Sequence, residues 1–113
     1  MADIVYIDQE DGKKRVMNNA QLYAKLLGKF RDNTKIEPIF AAINAGNYTE
    51  AQELAHAVKG ITANLSLINL NAKITDLESK IKANSVDAQT VEAVKESFAA
   101  TMPEVEKVIT ENA

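Results

Sequence analysis

The sequence predicts an all-α protein: an up-and-down four-helix bundle with an additional short N-terminal helix. Apolar residues recur at steps of three and four along most of the chain, the spacing of one-sided helices. The good helix formers Ala, Leu, Lys and Glu are abundant. Four glycines and two prolines in 113 residues are too few to punctuate a many-stranded fold. Helices with single apolar stripes and short connections bury those stripes by packing antiparallel.

The first eight residues read as an extended lead-in, and Gln9 to Val16 as a short helix that breaks at Met17-Asn18-Asn19. From Ala20, Leu22, Leu26 and Phe30 recur at four-residue steps with Tyr23 and Leu27 beside them, and Asp32-Asn33 ends the segment. Thr34 with Glu37 is a capping-box pattern. It opens a short helix with Ile36, Ile39, Phe40 and Ile43 on its apolar side, Pro38 in its first turn and Gly46 at its C-terminal end. Asn47 and Glu50 form another cap pair before a helix from Tyr48 to Asn64. The next helix carries Leu70, Ile74, Leu77 and Ile81. Ser85 or Asp87 caps the last, which carries Val91, Val94, Phe98, Val105 and Val108. Pro103 falls inside that pattern, so a kink or short break is expected there. The bundle helices are Ala20–Asp32, Lys35–Ala45, Tyr48–Asn64 and Ile68–Asn84, or a set in which the last helix replaces or extends one of these. One domain over residues 1–113 is expected.

Composition excludes several functions. The net charge is −3 and Lys13-Lys14-Arg15 is the only basic run, so no nucleic-acid face is expected. The chain has no cysteine, which rules out disulfides and thiolate metal sites and suits the cytoplasm. Ile4–Ile7, flanked by Asp3 and Asp8, is too short for a signal peptide. No apolar run approaches the ~20 residues that span a bilayer, so no membrane partner is expected. No G-x-x-x-x-G-K-[ST] or G-x-G-x-x-G loop is present, so the chain shows no means of using ATP itself.

His56 is the only histidine. Stepping about 100° per residue from Leu54, Leu54, Leu65, Val58, Ala51 and Ile61 form the buried stripe. His56 falls at about 200°, almost opposite its centre. Lys59, Gly60 and Ala63 follow on that outer face, and Gln52 lies one turn back. A mid-helix glycine costs ~1 kcal/mol against alanine, and an exposed one suits a surface that something must approach closely. Neutral imidazole is a nucleophile near neutral pH and can carry a group covalently between two half-reactions. Lys59 is placed to stabilise charge on phosphoryl oxygens. The bland alternative is an incidental surface histidine, and the neighbours on one face weigh against it. Glu53 and His56 form a Glu-x-x-His pair, but there is no second histidine and the pair faces outward, so no metal site is expected. A nucleophilic triad lacks both a cysteine and an orienting partner for the histidine.

His56-Ala57-Val58-Lys59-Gly60, followed by Ala63-Asn64-Leu65, resembles the signature of histidine phosphotransfer domains, whose usual form is His-x-Leu-Lys-Gly followed by a small residue, Asn and Leu. Asn19-Ala20-Gln21-Leu22-Tyr23 with Leu26-Leu27 and Phe30 is similar to the family's early helix. Ala45-Gly46-Asn47-Tyr48 with Glu50-Ala51 is similar to its turn into the histidine helix, and Leu77-Glu78 to the end of its next helix. The likeness runs in detail from Ile7 to Glu78. It implies a four-helix bundle that shuttles phosphoryl groups between receiver-domain aspartates. His56 would be phosphorylated, by the family's habit on Nε2; Lys59 would neutralise charge, and Gly60 would give the receiver access. Gln52 and Ala63 complete the expected phosphoryl and partner surface. Mg²⁺ would belong to the receiver, and no cofactor is expected here. The implied partners are response-regulator receiver domains and/or a hybrid sensor histidine kinase, and a monomer is expected. Val58 replaces the family's commoner leucine. Ser66 stands where many members have glycine, so the turn after the histidine helix is expected to differ. The Met-Ala start leans toward a free-standing protein rather than an excised piece of a hybrid kinase. The alternatives are a helical interaction module in which His56 is incidental and, third, an enzyme using His56 as a general base.

Overall fold

The computed structural model describes residues 4–112, which form six helices and no strand. They are α1 (Gln9–Lys14), α2 (Ala20–Asn33), α3 (Glu37–Asn44), α4 (Tyr48–Asn64), α5 (Ile68–Lys82) and α6 (Ala88–Asn112). The bundle with a short leading helix is therefore as the sequence expects. Residues 4–8 are neither helix nor strand; the first three residues of the expected lead-in, with the Met1-Ala2 start, lie outside the described residues. No helix among the described residues is long and apolar enough to cross a membrane.

Each boundary has a local cause. Met17 and Asn18 both adopt left-handed backbone, with φ of 57° and 60°, which stops α1. The Asn19 side chain then accepts from Leu22 N–H to start α2, and Asn47 accepts from Glu50 N–H to start α4. Asp87 accepts from Thr90 N–H at the head of α6. Such caps satisfy N–H groups that a helix start leaves without partners. The Thr34–Glu37 capping box does not form. Thr34 instead closes α2 as a buried, extended residue, and Ile36 precedes α3 without a side-chain cap.

α4 and α5 make the most extensive contact, as an antiparallel hairpin: His56 lies opposite Glu78, and Thr62 opposite Asn71. α6 packs on α5 and on α2, while the eight-residue α3 braces α4. The fourth bundle helix is thus α6 rather than α3. α6 runs through Pro103 without a break. The core is lined by Leu70, Ile74, Leu77 and Ile81 of α5 with Val94, Val105 and Val108 of α6.

Two stripes are rotated from their expected positions. On α2 the buried residues are Tyr23, Ala24, Leu27 and Phe30, with Leu22 39% exposed and Leu26 half-buried. On α4 they are Ala51, Ala55, Val58, Thr62 and Leu65, whereas Leu54 is half-buried and Ile61 is 38% exposed. Leu26 and Ile61 instead line a groove of about 670 Å³ between α2 and the C-terminal end of α4, two helices that do not pack extensively. Ala51 and Ala55 are fully buried, and Thr62 tolerates burial because its hydroxyl hydrogen-bonds to α4 carbonyls.

Tyr23 ties the N-terminal segment to this frame. Its hydroxyl donates to the Leu65 carbonyl at 2.7 Å. Burial, then the charges of Asp8 and Asp11, pushes its phenol up to about 12, so it stays a donor. Gly12 of α1 lies against the Tyr23 ring, and a Cβ there would overlap ring carbons and the hydroxyl oxygen. Gly12→Ala is therefore expected to destabilise the fold by about 1–3 kcal/mol, the usual cost of overpacking. A urea midpoint equal to that of the unaltered chain would mean that α1 does not dock on α2.

Ser66 has φ 57°, so the turn keeps the left-handed geometry that glycine would favour. Leu67 N–H reaches Thr62 O, Ser66 N–H reaches Ala63 O, and the Ser66 hydroxyl donates to Asp11 at 2.6 Å. Asp11 thereby holds the serine in place.

Candidate functional site

The α4 stripe, as buried, is centred about 40° closer to His56 than the sequence suggests. The ring therefore sits at the edge of the α4–α5 seam rather than opposite the core. Its side chain is still 70% exposed. This offset lets one ring nitrogen reach α5 while the other faces solvent.

The α5 group it reaches is Glu78, whose side chain is only 3% exposed. Nδ1 of His56 lies 3.1 Å from Glu78 Oε2, Lys59 Nζ lies 2.8 Å from Oε1, and Lys82 Nζ lies 3.9 Å from Oε2. A buried carboxylate needs partners of this kind to remain charged. Burial pushes the Glu78 carboxyl up. The hydrogen bonds from Lys59 and His56, with the charges of Lys59 and Lys82, outweigh that and hold it below its ordinary value. An ionised carboxylate only accepts. Nδ1 therefore carries the proton, and in the neutral ring the Nε2 lone pair is free.

A carboxyl depressed in the fold stabilises it above its ordinary pKa, and that contribution is lost as pH falls through the lower folded value. Acid unfolding monitored by helical signal should show Glu78→Gln losing less stability than the unaltered chain below the ordinary carboxylate range. Identical acid profiles would exclude this coupling.

The other expected residues fall around this centre. Lys59 is half-buried and engaged with Glu78, so it is less free than the sequence suggests. Gly60 is exposed, and a Cβ there would meet nothing within 4 Å. Ala63 is exposed on the same side and keeps that surface low. Gln52 is half-buried one turn back, with no hydrogen bond to His56 among the described residues. Glu53 is exposed, and among the described residues no group of three or more His, Cys, Asp or Glu gathers as if around a metal ion.

Sequence reasoning missed Glu78 and Lys82 as members of the site. Glu78 had a signal: it lies between Leu77 and Ile81, four residues after Ile74, so a carboxylate falls on the apolar stripe of α5. Lys82 sits one turn further on and follows once Glu78 is placed.

Chemically, the arrangement is an anchored imidazole with a solvent-facing nucleophilic nitrogen. Two ammonium groups stand on one side and an unobstructed surface on the other. It suits covalent capture of an electrophile bearing negative charge. Comparison with protein-family models, curated proteins and solved structures gives no match to this chain.

Proposed function

We propose that the chain is a phosphorelay carrier, a histidine phosphotransfer protein that accepts a phosphoryl group on His56 from a receiver-domain aspartate and passes it to another receiver. The observation that carries this reading is the orientation of His56: Nδ1–H is held on buried Glu78, and no hydrogen bond among the described residues engages Nε2. The signature resemblance around His56 supports it independently. The same reading makes the protein a carrier without kinase activity of its own, a cytoplasmic monomer, with Mg²⁺ on the receiver. Its partners are receiver domains, including those of hybrid sensor kinases.

In the forward step the Nε2 lone pair attacks phosphorus of the aspartyl phosphate. The N–P bond forms as the P–O bond to the aspartate breaks, and the electron pair leaves with the carboxylate. The ring then carries Nδ1–H and an Nε2–phosphoryl bond and is cationic. Glu78 already accepts Nδ1–H, so no proton has to move and the new charge faces a carboxylate. The transition state is loose, with charge on the equatorial oxygens, and Lys59 and Lys82 lie where turning toward those oxygens would offset it. Donation to the next aspartate reverses these steps.

Incubation with phosphorylated receiver domains tests the reading: acid-labile phosphate should appear on His56. Stable binding without phosphate gain would make the chain a helical interaction module instead. Glu78→Gln should slow uptake at least about tenfold. A side chain that can accept or donate no longer fixes the ring tautomer, and a misplaced tautomer has cost ~10⁴ in other histidine sites. Unchanged uptake would remove Glu78 from the mechanism. Lys59→Ala should slow transfer and flatten its salt dependence, because steering charges act mainly on association; equal rates across ionic strengths would exclude it.

A further inference from the structure

Two of the polar contacts that α5 makes with α4 meet at Lys59. Glu78 binds the Lys59 ammonium. Seven residues earlier, on the same face of α5, Asn71 donates to the Lys59 main-chain carbonyl at 2.9 Å. A carbonyl only accepts, so the group facing it must be the Asn71 amide nitrogen. That nitrogen also lies 3.1 Å from Thr62 Oγ1, and Thr62, fully buried, lies 3.0 Å from the carbonyls of both Val58 and Lys59. Lys59 is thus held at both ends by one helix.

A carbonyl in the interior of an α-helix already has its N–H partner four residues on. The Asn71 bond does not rescue an orphaned group; it fixes where the α4 backbone stands relative to α5. It does so beside Gly60, where helix propensity is weakest. Displacement of the backbone there would carry the Lys59 ammonium, and the His56 ring one turn back, away from Glu78.

We propose that Asn71 is a positioning residue for the phosphoryl site. It acts through the Lys59 carbonyl to hold Lys59 and His56 in register with Glu78. This rests on the phosphorelay reading, and the test separates the two.

Asn71→Asp keeps the side-chain shape but sets a carboxylate against the carbonyl; Asn71→Ala removes the donor without adding charge. Ile74→Val, a core change on the same helix away from these contacts, controls for loss of stability. Two quantities are read on the folded proteins: single-turnover uptake from a phosphorylated receiver at saturating concentration, and the ring ¹⁵N shifts of His56, which report the protonated nitrogen. Both Asn71 variants should slow uptake roughly tenfold, within the ~100-fold that a 1 Å misplacement can cost. Both should also move the ring signal away from the Nδ1–H form, while Ile74→Val changes neither. Wild-type uptake and an unmoved ring in Asn71→Ala would overturn the proposal, as would an equal effect of Ile74→Val. If the unaltered chain gains no phosphate, the relay reading falls; the ring signal then still decides whether Asn71 sets the geometry at His56.

Discussion

His56→Gln should abolish phosphate uptake and leave the fold nearly unchanged. The loss is complete in principle because no other side chain among the described residues pairs an anchored ring with a free nucleophilic nitrogen. Glutamine also offers only a resonance-weakened amide in its place. The side chain is 70% exposed, and substitutions at such positions usually stay within ±0.5 kcal/mol. Glu78 loses one of its three partners but keeps both lysines, so its charge remains compensated. The expected change in thermal midpoint is at most about 2–4 °C on the usual scaling. A much larger drop would mean that the His56–Glu78 contact helps hold α4 to α5. Retained uptake at wild-type level would place the phosphate on another residue and end the assignment.

The parts of this architecture legible in the sequence are those decided locally. α4 runs from Tyr48 to Asn64 in the structure as in the reading of the sequence, because Asn47 and Glu50 specify its start. The α5 stripe is buried as expected because its four aliphatic residues have no rival face. What failed depends on neighbours. The α2 pattern fits two stripes one residue apart, and the fit of Tyr23 between Gly12 and the Leu65 carbonyl selects one. On α4, Ala55 and Thr62 outrank Leu54 and Ile61. Small side chains permit close packing, and the groove beside α2 leaves Ile61 without cover. Thr34 and Glu37 have the spacing of a capping box, but Thr34 is taken up in ending α2.

The candidate site divides the same way. The exposure of His56, Gly60 and Ala63 follows from the period of one helix, so a wheel finds it even with the stripe misplaced by about 40°. Glu78, Lys82 and Asn71 lie on a second helix, and their relation to His56 depends on the register of the α4–α5 hairpin. The turn at Leu65, Ser66 and Leu67 sets that register, and its left-handed serine is held by Asp11 from another part of the chain. No spacing within α4 contains that information. The tautomer of His56, on which the chemistry turns, was therefore beyond the reach of the sequence pattern.

Gly60 separates a carrier from a passive surface most sharply, because its two effects have opposite sign. A Cβ at this position meets nothing within 4 Å, so the helix accepts larger residues without displacing a neighbour. Gly60→Ala should then stabilise the protein by up to ~1 kcal/mol, since glycine is disfavoured in a helix interior. Leu and Glu variants should also fold, with stabilities at or above that of the unaltered chain. Transfer should move the other way. A side chain at residue 60 rises one turn from His56, over the surface that the phosphoryl group and the receiver loops must share. Displacing the reacting atoms by about 1 Å can cost ~100-fold, so Leu should slow single-turnover transfer by about that factor. Glu should be slower still, because its charge repels the phosphoryl oxygens and competes with Glu78 for Lys59. Thermal midpoints and transfer rates measured on the same preparations decide the matter. Stable Leu and Glu variants that transfer at the wild-type rate would mean that no partner closes over this face. Variants that unfold would mean that Gly60 is covered in solution, contrary to the open surface around it.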